Sequence, residues 1–227
     1  MNLGETITVD LLNGSGDVEI TVIETNDELV LRSSENGQEY SRIIENAYFV
    51  NAYFVRTSSE DSYVMVSYDL ASDDYVTSIY PFFDTEPDYL GDVDGYVTEV
   101  EGQNFTVFSY LYAIGSWGGY RDYILTPGDF LDVDYPEYEI DRETMYRPMI
   151  TTRELPVLWY QDGDYVDGTV EAGAVLYFAA TDAATYMKFN MDDGRAGAIL
   201  FESDEFWNHT IDGIIVDECF EEVFASD

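Results

Sequence analysis

The chain has 227 residues, 47 of them acidic and 9 basic, for a formal charge of -38. A field of that sign repels nucleic-acid phosphates and anionic lipid headgroups within a Debye length, so neither is expected as a partner. Because 46% of the residues are hydrophobic and 16% aromatic, the charge must coat a packed core and does not mark a disordered acidic tail.

Strand patterns dominate from the N-terminus. ETITVDL (5–11) and VEITVIE (18–24) alternate apolar and polar residues, and NGSG (13–16) between them supplies hairpin-turn chemistry. ELVLRS (28–33) reads as a third strand, closed by the turn ENGQ (35–38). The tandem NAYFVNAYFV (46–55) repeats with period five, an odd number, so in an unbroken strand Tyr48 and Tyr53 fall on opposite faces. The segment must therefore be covered on both faces, carry a bulge near Asn51, or turn there. SYVMVSYDL (62–70), YVTSIYPFF (75–83), GYVTEVEG (95–102), FTVFSYLYAI (105–114) and YRDYILT (120–126) continue the β rhythm.

Residues 127–154 lose that rhythm. Pro127, Pro136 and Pro148 punctuate an acidic, tyrosine-rich run that reads as a linker, which predicts a boundary between domains at 1–147 and 148–227. Beyond it, LPVLWY (155–160), the acidic turn QDGDYVDG (161–168), TVEAGAVLYFAAT (169–181), YMKFNM (186–191), the turn DDGRAG (192–197) and AILFE (198–202) describe a set of short strands. A further strand is expected around Ile211 to Val216. A short helix is expected over 218–225, with Asp217 as its N-cap and Phe220, Val223 and Phe224 on one face.

Three constellations bear on function. Asp10, Asn13, Ser15 and Asp17 place oxygen ligands around one turn, as a calcium site requires, although the same residues also make a plain hairpin turn. Asp69, Asp73 and Asp74 form a second acidic loop. Trp117, Tyr120 and Tyr123 surround the glycines of GSWGGYRDY (115–123); exposed, they would stack on sugar rings, and buried, they would fill a core. His209 and Cys219 are each the only one of their kind, so neither a cysteine-cluster zinc site nor an intrachain disulfide is expected. No nucleophile elbow, phosphate loop or dinucleotide fingerprint occurs. A carboxylate pair for glycoside chemistry remains open among so many acids. NFT (104–106) and NHT (208–210) are glycosylation sequons in hosts that use them.

The order LPVLWY, DG turn, TVEAGAVLYF, YMKF and DGRAGAIL over 155–202 resembles bacterial SH3-like domains. Lys188, Asp193 and Gly194 stand in the expected order, while Ala196 to Ile199 departs from the usual Gly-Trp-Ile. VDLLNGSGDVEITV (9–22) is similar to the calcium-loop unit of FG-GAP or VCBS repeats, with one extra residue and a serine in place of an acid. Residues 53–80 resemble a more eroded copy. Together these resemblances imply a secreted or wall-facing protein of a Gram-positive bacterium, with calcium as the conceivable cofactor.

The expectation is an all-β protein: an N-terminal antiparallel domain, blade-like or sandwich, followed by an SH3-like small barrel with a short C-terminal helix. The charge fits either high-salt adaptation or a soluble extracellular monomer, and the 20 tyrosines and 13 phenylalanines favour the second. The expected function is a noncatalytic cell-surface module for a glycan, peptide or protein, with a carboxylate-pair glycan hydrolase or a ligand-free spacer as alternatives. The N-terminus MNLGETITVD has no export-signal pattern, so a signal or anchor is expected outside this chain.

Overall fold

The computed structural model describes residues 1–11, 16–26, 28–57, 61–71, 73–82, 85–127, 129–132, 137–141, 147–204 and 208–221. They form an all-β structure of several antiparallel sheets in two compact units. Unit 1 comprises Met1–Ser109 and Asp122–Asp134; unit 2 comprises Tyr110–Arg121 and Tyr135–Asp227. The sequence reading puts the dividing line at 147. In the structure the three-residue strand Tyr138–Ile140 already pairs within unit 2, and so short an element leaves no readable period.

In unit 1, β1 (Thr6–Leu11), β2 (Gly16–Thr25), β3 (Glu28–Glu35) and β4 (Gln38–Glu45) form one sheet in sequence order. β5 (Tyr48–Arg56), β6 (Ser62–Asp69), β7 (Tyr75–Phe82) and β8 (Gly91–Asp94) form a second. The inward residues of both, among them Ile20, Val22, Leu29, Val64, Val66 and Tyr80, share one apolar cluster. The opposite face of the second sheet, with Tyr63, Met65 and Ile79, packs in another cluster. That cluster also takes side chains of β9 (Tyr96–Glu101), β10 (Asn104–Tyr112) and β11 (Ser116–Thr126), and Phe130 of β12 (Asp129–Asp132) packs against it. β6 is thus buried on both faces, which is why SYVMVSY reads as an almost unbroken apolar run. Its buried Ser67 is paired: the Ser67 and Thr77 hydroxyls lie 2.9 Å apart, and the Ser67 oxygen accepts the Val97 N–H at 3.1 Å.

The tandem repeat resolves as a bulge. Phe49 pairs with Tyr68 and Asn51 with Ser67, so Val50 has no opposite number. The extra residue turns a five-residue offset into a four-residue offset on β6: Tyr48 faces Asp69 and Tyr53 faces Met65. The two tyrosines therefore meet the same face of the partner strand, and Phe49 and Phe54 both pack on the cluster that contains Tyr68 and Val64. At the junction of β8 and β9, Gly95 adopts φ +110°, and a Cβ there would lie 2.2 Å from the Phe108 carbonyl oxygen, so only glycine fits.

Unit 2 adds β13 (Tyr138–Ile140), β14 (Pro148–Ile150), β15 (Leu155–Gln161), β16 (Asp164–Val170), β17 (Val175–Thr181), β18 (Tyr186–Asn190) and β19 (Ala196–Leu200). It ends with β20 (Glu202–Ser203), β21 (His209–Ile211), β22 (Ile214–Ile215) and a single 3₁₀ turn over Val216–Glu218. The main strand order is β16-β15-β19-β18-β17-β13, then the Tyr110–Arg121 segment of β11, and β14 also pairs with β17. No closed barrel forms among the described residues, because β16 pairs only with β15 and not with β17. The expected helix over 218–225 does not form in its described part: the 3₁₀ turn ends at Glu218, its N-cap is Ile215 with no side-chain cap bond so that Asp217 lies inside the turn, Phe220 makes a β-bridge with Thr151, and 222–227 lie outside the described residues. The last described residues join the core through backbone bonds, Thr152 N–H to the Cys219 carbonyl at 2.9 Å and Glu221 N–H to the Ile150 carbonyl at 2.9 Å. Burial raises the pKa of the Cys219 thiol, which keeps it protonated in that core.

Two further corrections concern this unit. QDGDYVDG is not all turn: Asp162 and Gly163 hold the positive φ values of a tight hairpin, and Asp164 onward is β16. TVEAGAVLYFAAT is not one strand. Its first two residues end β16, the chain turns through 171–174, and β17 begins at Val175.

Candidate functional site

Alternation in β15 sends Leu155, Val157 and Trp159 into the core and turns Pro156, Leu158 and Tyr160 outward. The partner register completes an outer face: Tyr160 stands opposite Tyr165, Leu158 opposite Asp167 and also Ala198, and Pro156 opposite Thr169. Leu200 continues that face and is 53% exposed. Together with Phe201, Glu202, Thr210 and Asp212, the strands line a groove of about 400 Å³. Its exposed apolar part is mainly aliphatic, Pro156, Leu158 and Leu200, with the ring of Phe201 buried behind it, and Asp167, Glu202 and Asp212 carry its charge.

None of these three carboxylates has an ion-pair partner among the described residues. The chain's only lysine does not supply one. Lys188 Nζ lies 2.5 Å from Glu137 Oε1, and the Tyr186 hydroxyl donates to the same oxygen at 2.5 Å. Burial, reinforced by that bond and by the Glu137 charge, raises the Tyr186 pKa, so the phenol stays a donor. Tyr160 and Tyr165 form a tilted, half-exposed ring pair with centroids 5.3 Å apart.

Beneath the groove, Trp159 fixes the sheet. Phe189 meets its ring edge-on at 5.7 Å, and the Arg195 guanidinium sits 4.7 Å from the ring centroid while pairing with Asp193 at 2.8 Å. Two glycines make room: a Cβ on Gly168 would lie 2.4 Å from Trp159 Cδ1, and one on Gly197 2.6 Å from the Leu158 carbonyl oxygen.

The structure separates the residues singled out from the sequence. Trp117 is 3% exposed in the unit 2 core, donates its indole N–H to the Ile114 carbonyl at 3.0 Å, and meets Phe178 edge-on at 5.3 Å. Tyr123 belongs to a unit 1 cluster and stacks on Phe105 at 5.2 Å. Only Tyr120 is at the surface, so the three rings do not share an exposed face. Asp10 and Asp17 stand directly opposite each other on β1 and β2, both exposed, while Asn13 and Ser15 lie outside the described residues. Among the described residues no three His, Cys, Asp or Glu side chains converge as metal ligands.

A polar network lies in unit 1. The Tyr68 and Ser78 hydroxyls are 2.9 Å apart, and Ser78 donates to Asp92 at 2.6 Å. Burial raises Tyr68 and pushes Tyr80 up to about 12, so both phenols remain protonated donors. In the β17–β18 turn, burial acts to raise Asp182. The Thr185 hydroxyl and the N–H groups of Thr185, Ala184 and Tyr186 outweigh it and hold the carboxyl below its ordinary range.

The groove went unread because no single motif marks it. Its signal was the unbroken apolar run LPVLWY, in which both faces are apolar although only one can line the core. No family model matches this chain, and no curated protein matches it.

Proposed function

We propose that the protein is a noncatalytic binding module of the cell surface or extracellular space, and that its groove takes a peptide segment with aliphatic and basic side chains. The composition of the groove carries this reading. An aliphatic floor accepts a branched side chain better than the flat face of a sugar, which is held by stacked aromatic planes. Three carboxylates with no ion-pair partner among the described residues suit an ammonium or guanidinium group, and the nearby Tyr160–Tyr165 pair offers ring faces to a guanidinium.

Within this reading, residues 155–202 are the SH3-like element. The order β16-β15-β19-β18-β17 is that of a five-strand meander opened between β16 and β17. The sheets of unit 1 are the eroded FG-GAP-like repeats, layered as a sandwich, with calcium at the β1–β2 turn as their residual ligand. The charge of -38 keeps the protein soluble and monomeric outside the cell.

Burying one leucine contributes about 1.5–3 kcal/mol. Each exposed ion pair adds roughly 0.2–1 kcal/mol. A tetrapeptide should therefore bind at about millimolar Kd. The test is calorimetry or NMR titration of the full chain with Ac-Arg-Leu-Arg-Leu-NH2 and, separately, with an uncharged hexasaccharide. The peptide is expected to saturate, and Leu200→Glu to weaken it at least fivefold. Binding or cleavage of the saccharide, with no response to the peptide, overturns the reading in favour of a glycan module or a hydrolase. Silence toward both overturns it in favour of a spacer.

A further inference from the structure

β16 is a free edge. Among the described residues it pairs with β15 alone, through seven consecutive pairs from Leu155–Val170 to Gln161–Asp164, with no register shift. Edge strands are protected by a bulge, a proline, charged side chains or extreme shortness. DYVDGTV has no bulge, proline or lysine and is seven residues long; its only guards are Asp164 and Asp167, whose charge deters another acidic strand but not a basic one.

The two faces of this edge differ in chemistry. On the inner face Val166 stands opposite the buried Trp159 yet is 49% exposed, so the apolar row Trp159–Val166 ends bare. On the outer face Tyr165 and Asp167 alternate with it. A strand added at the usual spacing of about 4.8 Å would set one row of its side chains over Val166 and the other beside Asp167. The first row should be apolar and the second basic.

A second copy of this chain does not meet that requirement. Antiparallel self-pairing centred on β16 places Asp167 against Asp167, and each copy brings a charge of -38. We infer that the free edge of β16 takes an added strand from a partner protein: an extended segment in which basic and apolar residues alternate. The inference rests on the reading of the protein as a binding module for basic partners, but it uses the backbone edge that borders the groove, with which it shares Asp167 and not Val166.

The experiment uses the full chain and a fluorescein-labelled, end-capped peptide of four Lys-Val repeats, followed by anisotropy. One-to-one saturation is expected. Methylating alternate backbone nitrogens leaves charge and side chains intact but removes ladder donors, and should weaken binding at least tenfold. Val166→Asp, at an exposed position, should do the same while preserving the far-ultraviolet spectrum; Leu200→Glu should change it less than twofold. Equal binding of the methylated peptide, or of a block peptide of the same composition with all its lysines before all its valines, would show charge attraction without strand pairing and overturn the inference. Loss of binding in Leu200→Glu with Val166→Asp unaffected would place the peptide in the groove, sinking the edge inference while leaving the groove reading intact. A dimer in sedimentation at micromolar concentration that Val166→Asp dissolves would assign the edge to a second copy and overturn it equally.

Discussion

Gly168→Ala tests how the core supports the groove. The added methyl would sit 2.4 Å from Trp159 Cδ1 and 2.6 Å from Nε1, about 1 Å inside an ordinary contact. The indole cannot simply slide away, because the Arg195 guanidinium lies 4.7 Å from its centroid and Phe189 closes its edge at 5.7 Å. Either β16 lifts from β15 or the ring leaves its place, and overpacking of this kind costs about 1–3 kcal/mol. For a unit of about 100 residues, roughly 4–8 °C of melting temperature goes with each kcal/mol. The transition of unit 2 should therefore fall by at least about 4 °C, with a shift in tryptophan emission. The clash is with the ring itself, so the decisive measurement is a double-mutant cycle with Trp159→Leu. In that background the alanine should cost less than half as much. The same loss in both backgrounds would refute the ring-clash account.

The remaining predictions concern charge. Tyr80 has a folded-state pKa raised to about 12 against about 10 unfolded, so its contribution to stability is full below pH 10 and disappears as pH rises toward 12. Urea melts across that range should show falling stability, and Tyr80→Phe should flatten the slope; an unchanged slope contradicts the assignment. Asp182 is shifted the other way, so its contribution is present at neutral pH and lost as pH falls below the ordinary aspartate range. Asp182→Ala should cost about 1–2 kcal/mol at pH 7 and almost nothing near pH 2, checked by denaturant melts at both. The melting temperature should rise from low to high sodium chloride as the charge of -38 is screened, and a flat or falling trend counts against a repulsive surface.

Some of the site was within reach of sequence reasoning and some was not. The ENGQ turn was legible because Asn36 and Gly37 are residue types that tolerate the positive φ they adopt. The bulge at Val50, beside Asn51, was among the outcomes an odd repeat permits, since a period of five cannot keep a strict alternation without one extra residue. β16 was missed because an edge strand is exposed on nearly every residue, so DYVDGTV carries the composition of a turn. Trp117 and Tyr123 could not be sorted from Tyr120 by type: a glycine-rich loop and a bent core strand use the same letters, and only burial distinguishes them.

By itself, the sequence determined that this protein is built of antiparallel strands under a negative surface, because side-chain alternation, turn residues and charge are local properties. Beyond hairpins marked by their turn residues, such as β1 with β2, the tertiary structure alone decided which strands lie side by side. Pairing β15 with both β16 and β19 aligned Leu158, Asp167 and Ala198, brought Leu200, Glu202 and Asp212 to the same groove, and left one edge open. Such meetings depend on contacts between residues far apart in the chain, and no periodicity within a strand encodes its neighbour.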